Sequence, residues 1–123
     1  MGFKDLFKPK GKGREENAAP DFSQVDQAAA RALANQGVLA PLYMMPLRFG
    51  GEESERNRLY APPAAVALKD RYDNMVEELL RQEKVNGYTC TPEYKGTSFV
   101  PSKITVAAKM DGQPVFTESI TIW

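Results

Sequence analysis

The chain has no histidine and a single cysteine, Cys90. Without imidazole, no Ser-His-Asp or Cys-His nucleophile can be assembled, and imidazole ligation of a metal is closed as well. One cysteine forms no internal disulfide and no thiolate zinc site of the structural kind. No stretch reaches the roughly 18 apolar residues of a membrane-spanning helix. The basic residues near the start are not followed by an apolar run of signal-peptide length. Neither GxxxxGK[ST] nor GxGxxG is present, so the familiar phosphate cradles are missing. From these absences we expect a cytoplasmic protein with no cofactor, no metal and no catalytic constellation of a common kind.

What is present is an ordinary globular composition: 123 residues, 42% hydrophobic and 26% charged, enough for one domain with a modest core. The 16 basic and 16 acidic residues cancel, but unevenly. Residues 1–14 carry Lys4, Lys8, Lys10, Lys12 and Arg14 against Asp5, a net of +4, which leaves −4 on the remainder. An acidic body lacks the basic face of a nucleic-acid binder, and nucleic acid is not an expected partner. Residues 1–20 read as a flexible basic arm, because "KPKGKGREEN" is rich in Gly, Lys and Glu and has little to bury. Phe3, Leu6 and Phe7 fall at i, i+3, i+4, one apolar edge of a single turn. That edge would give weak membrane contact through residues 1–8.

Residues 21–123 read as a single α+β domain. "FSQVDQAAARALANQG" is a helix, with Ser23 as cap, Asp26 three residues on, an alanine run, and Gly37 as its stop. "VLAPLYMMPLRF" reads as extended chain, and Pro41 and Pro46 confine it to a sheet edge. Arg48 in such a strand would point away from Leu47 and Phe49. "RLYA" is a short strand. "PPAAVALKDRYDNMVEELLRQEKVNG" is a long helix, with Pro63 in its first turn and Asn86-Gly87 as its end. Its core stripe is Leu68, Tyr72, Met75 and Leu79, widened by Ala65, Val76 and Leu80. Its polar face holds Lys69, Asp70, Asp73, Asn74, Glu77, Glu78 and Arg81. Three β segments follow, the last two joined around Met110-Asp111-Gly112 in a register that sets Ile104 opposite Ile120 and Ala108 opposite Phe116. That register puts Glu118 on the apolar side beside Val106, so either a bulge re-aims it or that end of the sheet is open to water. The expected architecture is an antiparallel sheet of four to five strands, covered on one face by the long helix, with a shorter N-terminal helix beside it.

Along "PLRFGG", "LYAPP" and "PEYKGTSFVPSKI" the chain resembles a group of small bacterial proteins of uncharacterised activity. The likeness spans roughly residues 38–123. It implies a bacterial cytoplasmic origin and a compact α+β domain, and it brings no activity and no catalytic residue.

Three functions are open at this stage. The leading one is a non-catalytic domain that binds a protein partner or pairs with itself through a sheet edge. It rests on the missing catalytic sets and on aromatics and methionines that look exposed in the β half: Tyr43, Met44, Met45, Phe49, Tyr60, Tyr94, Phe99 and Trp123. Its candidate binding residues are Arg48, Tyr43, Met44, Met45, Tyr60 and Tyr94. The second is a small-ligand-binding or carboxylate-dependent enzyme domain, in which Arg48 converges with an acidic residue; Asp70, Asp73 and Glu77 share one helix face. The third is a membrane-associated accessory protein. Cys90 reads as a small buried hydrophobe. Glu52, Glu53 and Glu55 lack the spacing of a calcium loop.

Overall fold

The computed structural model describes residues 21–123. The basic arm, with Phe3, Leu6 and Phe7 and the membrane contact expected of them, lies outside the described residues. In chain order the elements are helix α1 (Gln27–Asn35), strand β1 (Ala40–Tyr43), a 3₁₀ turn (Leu47–Phe49), strand β2 (Arg58–Ala61), helix α2 (Pro63–Arg81), and strands β3 (Gly87–Glu93), β4 (Lys103–Met110) and β5 (Gln113–Thr121).

The α+β class is as expected. Among the described residues a single sheet of four to five strands is not formed. The strands divide into an antiparallel ribbon, β1–β2, and a separate antiparallel sheet in the order β3–β4–β5. The reason lies in the chain that follows β1. The Tyr43 carbonyl accepts from the Lys69 ammonium, and both backbone groups of Met45 are bonded to the Asn57 side chain. Side chains thus take up backbone groups that a wider ladder would have paired.

Both helices end by the same device. In α1, the Gly37 and Val38 N–H groups return to the carbonyls of Ala34 and Leu33 at 3.1 and 2.9 Å. In α2, Glu83 and Lys84 return to Leu80 and Leu79 at 3.0 and 2.9 Å, with Glu83 at φ +59°. The long helix therefore stops at Arg81, before the Asn86-Gly87 expected to end it. The N-terminus of α1 also differs from expectation. Asp26, not Ser23, is the cap, accepting from the Ala29 N–H at 2.8 Å, while Ser23 donates its own N–H to Asp21.

The larger correction concerns which face of α2 is inside. Leu68, Tyr72, Leu79 and Leu80 pack against the core as expected. Met75, placed in the stripe from its spacing, is 50% exposed. Lys69 and Asp73, assigned to the polar face, are buried at 2% and 4% exposure. The helix is rotated so that this charged pair faces inward, where α2 touches β1, β4 and β5.

The sheet follows the expected register. Ile104 faces Ile120, Ala108 faces Phe116, and Val106 faces Glu118. The turn is the two-residue Asp111-Gly112, both at positive φ. A shift between Ala108 and Lys109 leaves Val115 as the extra residue that restores the alignment. The irregularity sits at the hairpin end and does not re-aim Glu118, which remains opposite Val106 and exposed on the open edge of β5.

The core has two parts. One gathers Phe22, Ala30, Leu39, Leu42, Leu59 and Val100 with the Ile104 end of the sheet. The other holds Val76, Val85, Val106 and Ala108 near the hairpin. Tyr72 and Cys90 pack against both. Trp123 closes the first part, edge-on to Phe22 and with its indole N–H on the Val100 carbonyl at 3.0 Å. Among the described residues no helix is long and apolar enough to cross a membrane.

Glu83 is a side-chain-bearing residue held in the left-handed region, which costs about 1 kcal/mol. Glu83→Gly is expected to raise the unfolding free energy by about 1 kcal/mol, read by urea denaturation with an unchanged slope. No gain would mean that Glu83 makes a compensating contact.

Candidate functional site

Lys69 and Asp73 are one helical turn apart on α2, so their side chains meet along its inward face. The ammonium reaches Asp73 Oδ2 at 2.5 Å and the Tyr43 carbonyl at 2.9 Å. The other Asp73 oxygen accepts from the Tyr88 hydroxyl, also at 2.5 Å, and that hydroxyl lies 3.3 Å from the Met44 carbonyl. The ammonium also sits over the Tyr88 ring, 5.6 Å from its centroid. Side chains from α2 and β3 thus converge on two carbonyls of the segment after β1. Burial, reinforced by the bond to Asp73, holds the Tyr88 phenol well above its ordinary value. Burial also pushes the Cys90 thiol up to about 11, with Lys69 drawing it down and Asp73 raising it. Both groups stay protonated at neutral pH.

The segment so anchored carries Arg48 outward. Leu47-Arg48-Phe49 is a 3₁₀ turn and not the strand expected from the sequence. Two glycines shape it for different reasons. Gly50 closes the turn at φ +98°, and a Cβ on Gly51 would lie 2.0 Å from the Met45 carbonyl oxygen. Asn57 fastens the loop. Its amide donates to the Met45 and Glu52 carbonyls at 2.9 and 2.8 Å, and its oxygen accepts from the Met45 N–H at 2.8 Å.

From this turn the Arg48 guanidinium lies across α2. Nη2 donates to Asn74 Oδ1 at 2.7 Å, Nε donates to Glu77 Oε1 at 3.2 Å, and Nη1 is 3.5 Å from Asp70 Oδ1. The guanidinium also covers the Phe49 ring at 5.5 Å. A cleft opens on each side. One, of about 380 Å³, is lined by Pro41, Tyr43, Leu47, Val66, Asp70 and Arg48, with Lys69 and Asp73 at its base. The other, of about 500 Å³, is lined by Met45, Phe49, Leu80, Arg81, Tyr88 and Arg48. Arg48 belongs to both.

Four of the six candidate binding residues therefore lie in one region: Arg48, Tyr43 and Met45 line the clefts, and Met44 contributes its carbonyl. Tyr60 and Tyr94 are not in the lining of either cleft. Tyr60 packs on Phe99 at 6.3 Å, and Tyr94 follows β3 as an exposed side chain. Of the eight aromatics and methionines that look exposed in the sequence, only Tyr94 is; the others are half-buried. Asp70, Asp73 and Glu77 do not act together. Asp73 is inside with Lys69 and Tyr88, while Asp70 and Glu77 pair with Arg48 outside, and Arg81 also reaches Glu77 at 3.5 Å. The acidic loop is dispersed: Glu52 pairs with Arg56, Glu55 with Arg31 of α1, and Glu53 accepts from the Tyr43 hydroxyl. Among the described residues no three Cys, Asp or Glu side chains converge as a metal site.

Sequence reasoning missed Lys69, Tyr88 and Asn57. The i, i+4 spacing of Lys69 and Asp73 was visible, but the same spacing is usual on a solvated face. Nothing in the sequence marks the carbonyls that Asn57 caps.

Comparison with protein-family models, curated proteins and solved structures found no match for this chain.

Removing one member of the buried pair leaves the other uncompensated. Lys69→Met is expected to cost about 3–5 kcal/mol, and Lys69→Met/Asp73→Leu to recover at least half of that, measured by chemical denaturation. A double variant no better than the single one would mean that the pair contributes through geometry that apolar side chains do not replace. Cys90 gives a second expectation. Its protonated form is favoured by folding, so the stability it carries is present below pH 9 and lost as pH rises to about 11. The wild type should lose about 3 kcal/mol more than Cys90→Ala across that interval. Parallel pH curves for the two proteins would refute the assignment.

Proposed function

We propose that the protein is a non-catalytic binding domain that takes an extended segment of a partner protein into the groove along α2. The observation that carries this reading is the pair of clefts flanking Arg48 on one helix face. Each volume is within the range of about 300–1,000 Å³ usual for binding pockets. Together they run from Val66 to Arg81, about 22 Å of helix at 1.5 Å per residue. An extended chain covers that length with about six or seven residues. The groove suits a stretch of peptide better than a compact metabolite.

Two further observations support it. The strand edges are poor templates for pairing. Pro41 lies in β1, Pro92 in β3 and Pro114 in β5, and Glu118 adds an exposed charge on the open edge of β5. This moves the expected contact from a sheet edge to the groove. The phenol that lines one cleft is also unsuited to proton transfer at neutral pH, which needs a group poised near 7. Burial holds the Tyr88 phenol well above neutrality.

The test is selection of binders from a random-peptide display library on the full chain, followed by amide shift mapping. Selected peptides are expected to move residues 43–49 and 70–81. Leu47→Asp puts a charge on a residue that is 44% exposed and lines one cleft. It should weaken binding tenfold or more, given the roughly 1.5–3 kcal/mol that burying a leucine contributes, and leave the circular dichroism spectrum unchanged. Shifts confined to β5, or unchanged affinity in Leu47→Asp, would sink the groove reading.

A further inference from the structure

We infer that Arg48 is a movable bar across this groove rather than a contact the partner uses, so that the partner binds by lifting it from α2. The inference rests on the groove being the binding surface, and it concerns how that surface is regulated. Arg48 is the charged side chain common to both clefts, so it lies between them. Its guanidinium is already engaged along the helix by Asp70, Asn74 and Glu77, residues spread over two turns. Nε and Nη2 already donate to Glu77 and Asn74, and Nη1 stands 3.5 Å from Asp70, so most of the fork is committed to α2.

The ion pairs of this hold are weak by their geometry, and a single neutral partner, Asn74, is bonded more closely. The side chains of Arg48 and Glu77 are 39% and 35% exposed, and that of Asp70 is 62% exposed. The ion pairs are 3.2 and 3.5 Å long. Pairs this exposed contribute little and are screened by salt. The turn that carries Arg48 is held independently by Asn57 and by the Gly50 and Gly51 backbone. The guanidinium can therefore swing outward without disturbing its base. When it does, the two clefts run together over the backbone of α2, Asp70 is released to water, and Glu77 keeps Arg81 as its partner. An arginine that must be moved opposes binding, and high salt or removal of its charge relieves that opposition. This is opposite in sign to the behaviour of a residue that grips the partner.

Two measurements on the full chain test the inference. The first is the Arg48 Nε–H resonance, assigned by its loss in Arg48→Met. It is expected to be exchange-broadened and to shift toward the free-guanidinium position between about 0.01 M and 1 M salt. A sharp, protected, salt-insensitive signal would overturn the bar. The second is affinity for display-selected peptides, with Arg48→Met and Arg48→Gln carried through the same selection as the wild type. Peptides that touch both clefts should bind Arg48→Met up to about fivefold more tightly, with wild-type affinity approaching it at high salt. Equal or weaker binding to Arg48→Met overturns the bar and leaves the groove reading standing. Binders found on Arg48→Met but not on the wild type support the bar most strongly. A library that yields none on either protein overturns both.

Discussion

A lysine ammonium with almost no contact with water holds the separate parts of this molecule together. Lys69 is on α2, its carboxylate partner is one turn further along, the phenol that shares that carboxylate is on β3, and the carbonyl that completes the ammonium belongs to the end of β1. Taking an ion pair out of water costs several kcal/mol per ion unless every remaining donor and acceptor is met. Here both Asp73 oxygens are occupied, and the ammonium has a carboxylate, a carbonyl and an aromatic face. Such a set tolerates little displacement of any member. It therefore fixes the rotation of α2, the distance of the ribbon from the sheet, and the path of the chain after Tyr43.

That path determines the surface. With the Tyr43 and Met44 carbonyls turned toward Lys69 and Tyr88, the chain cannot continue as a strand. It folds into the Leu47–Phe49 turn, which Gly50 and Gly51 permit and Asn57 fastens. Arg48 is thereby delivered across the outside of the helix whose inside holds Lys69. A buried charge network and an exposed one thus lie side by side on one face of α2, a single turn apart at Asp73 and Glu77. The inner one is buried at the base of a cleft and serves stability. The outer one is half-solvated and is the part able to rearrange.

The periodic parts of the fold were legible beforehand. The two helices, the short strand Arg58–Ala61 and the hairpin register follow from apolar spacing and turn residues, which act over a few positions. Even Glu118 facing Val106 was readable, because alternation along a strand admits no other place for it. The candidate region was legible only in outline. Arg48, Tyr43, Met44 and Met45 stand together in the sequence and remain together in space, whereas Tyr60 and Tyr94 were grouped with them by residue type alone and pack elsewhere.

The sequence by itself determined the α+β class, the two helices, the terminal hairpin with its register, and the exclusion of histidine chemistry and of an internal disulfide, because each depends on composition or on short-range pattern. Only the tertiary structure decided that the strands form two sheets, that Lys69 and Asp73 face inward while Met75 faces out, and that Arg48 leaves a turn to lie between two clefts. The physical reason is the same in each case. A charged residue's place depends on whether distant groups can replace its water, and the Tyr88 hydroxyl, 15 residues from Asp73, and the Tyr43 carbonyl, 26 residues from Lys69, are partners that no local pattern announces.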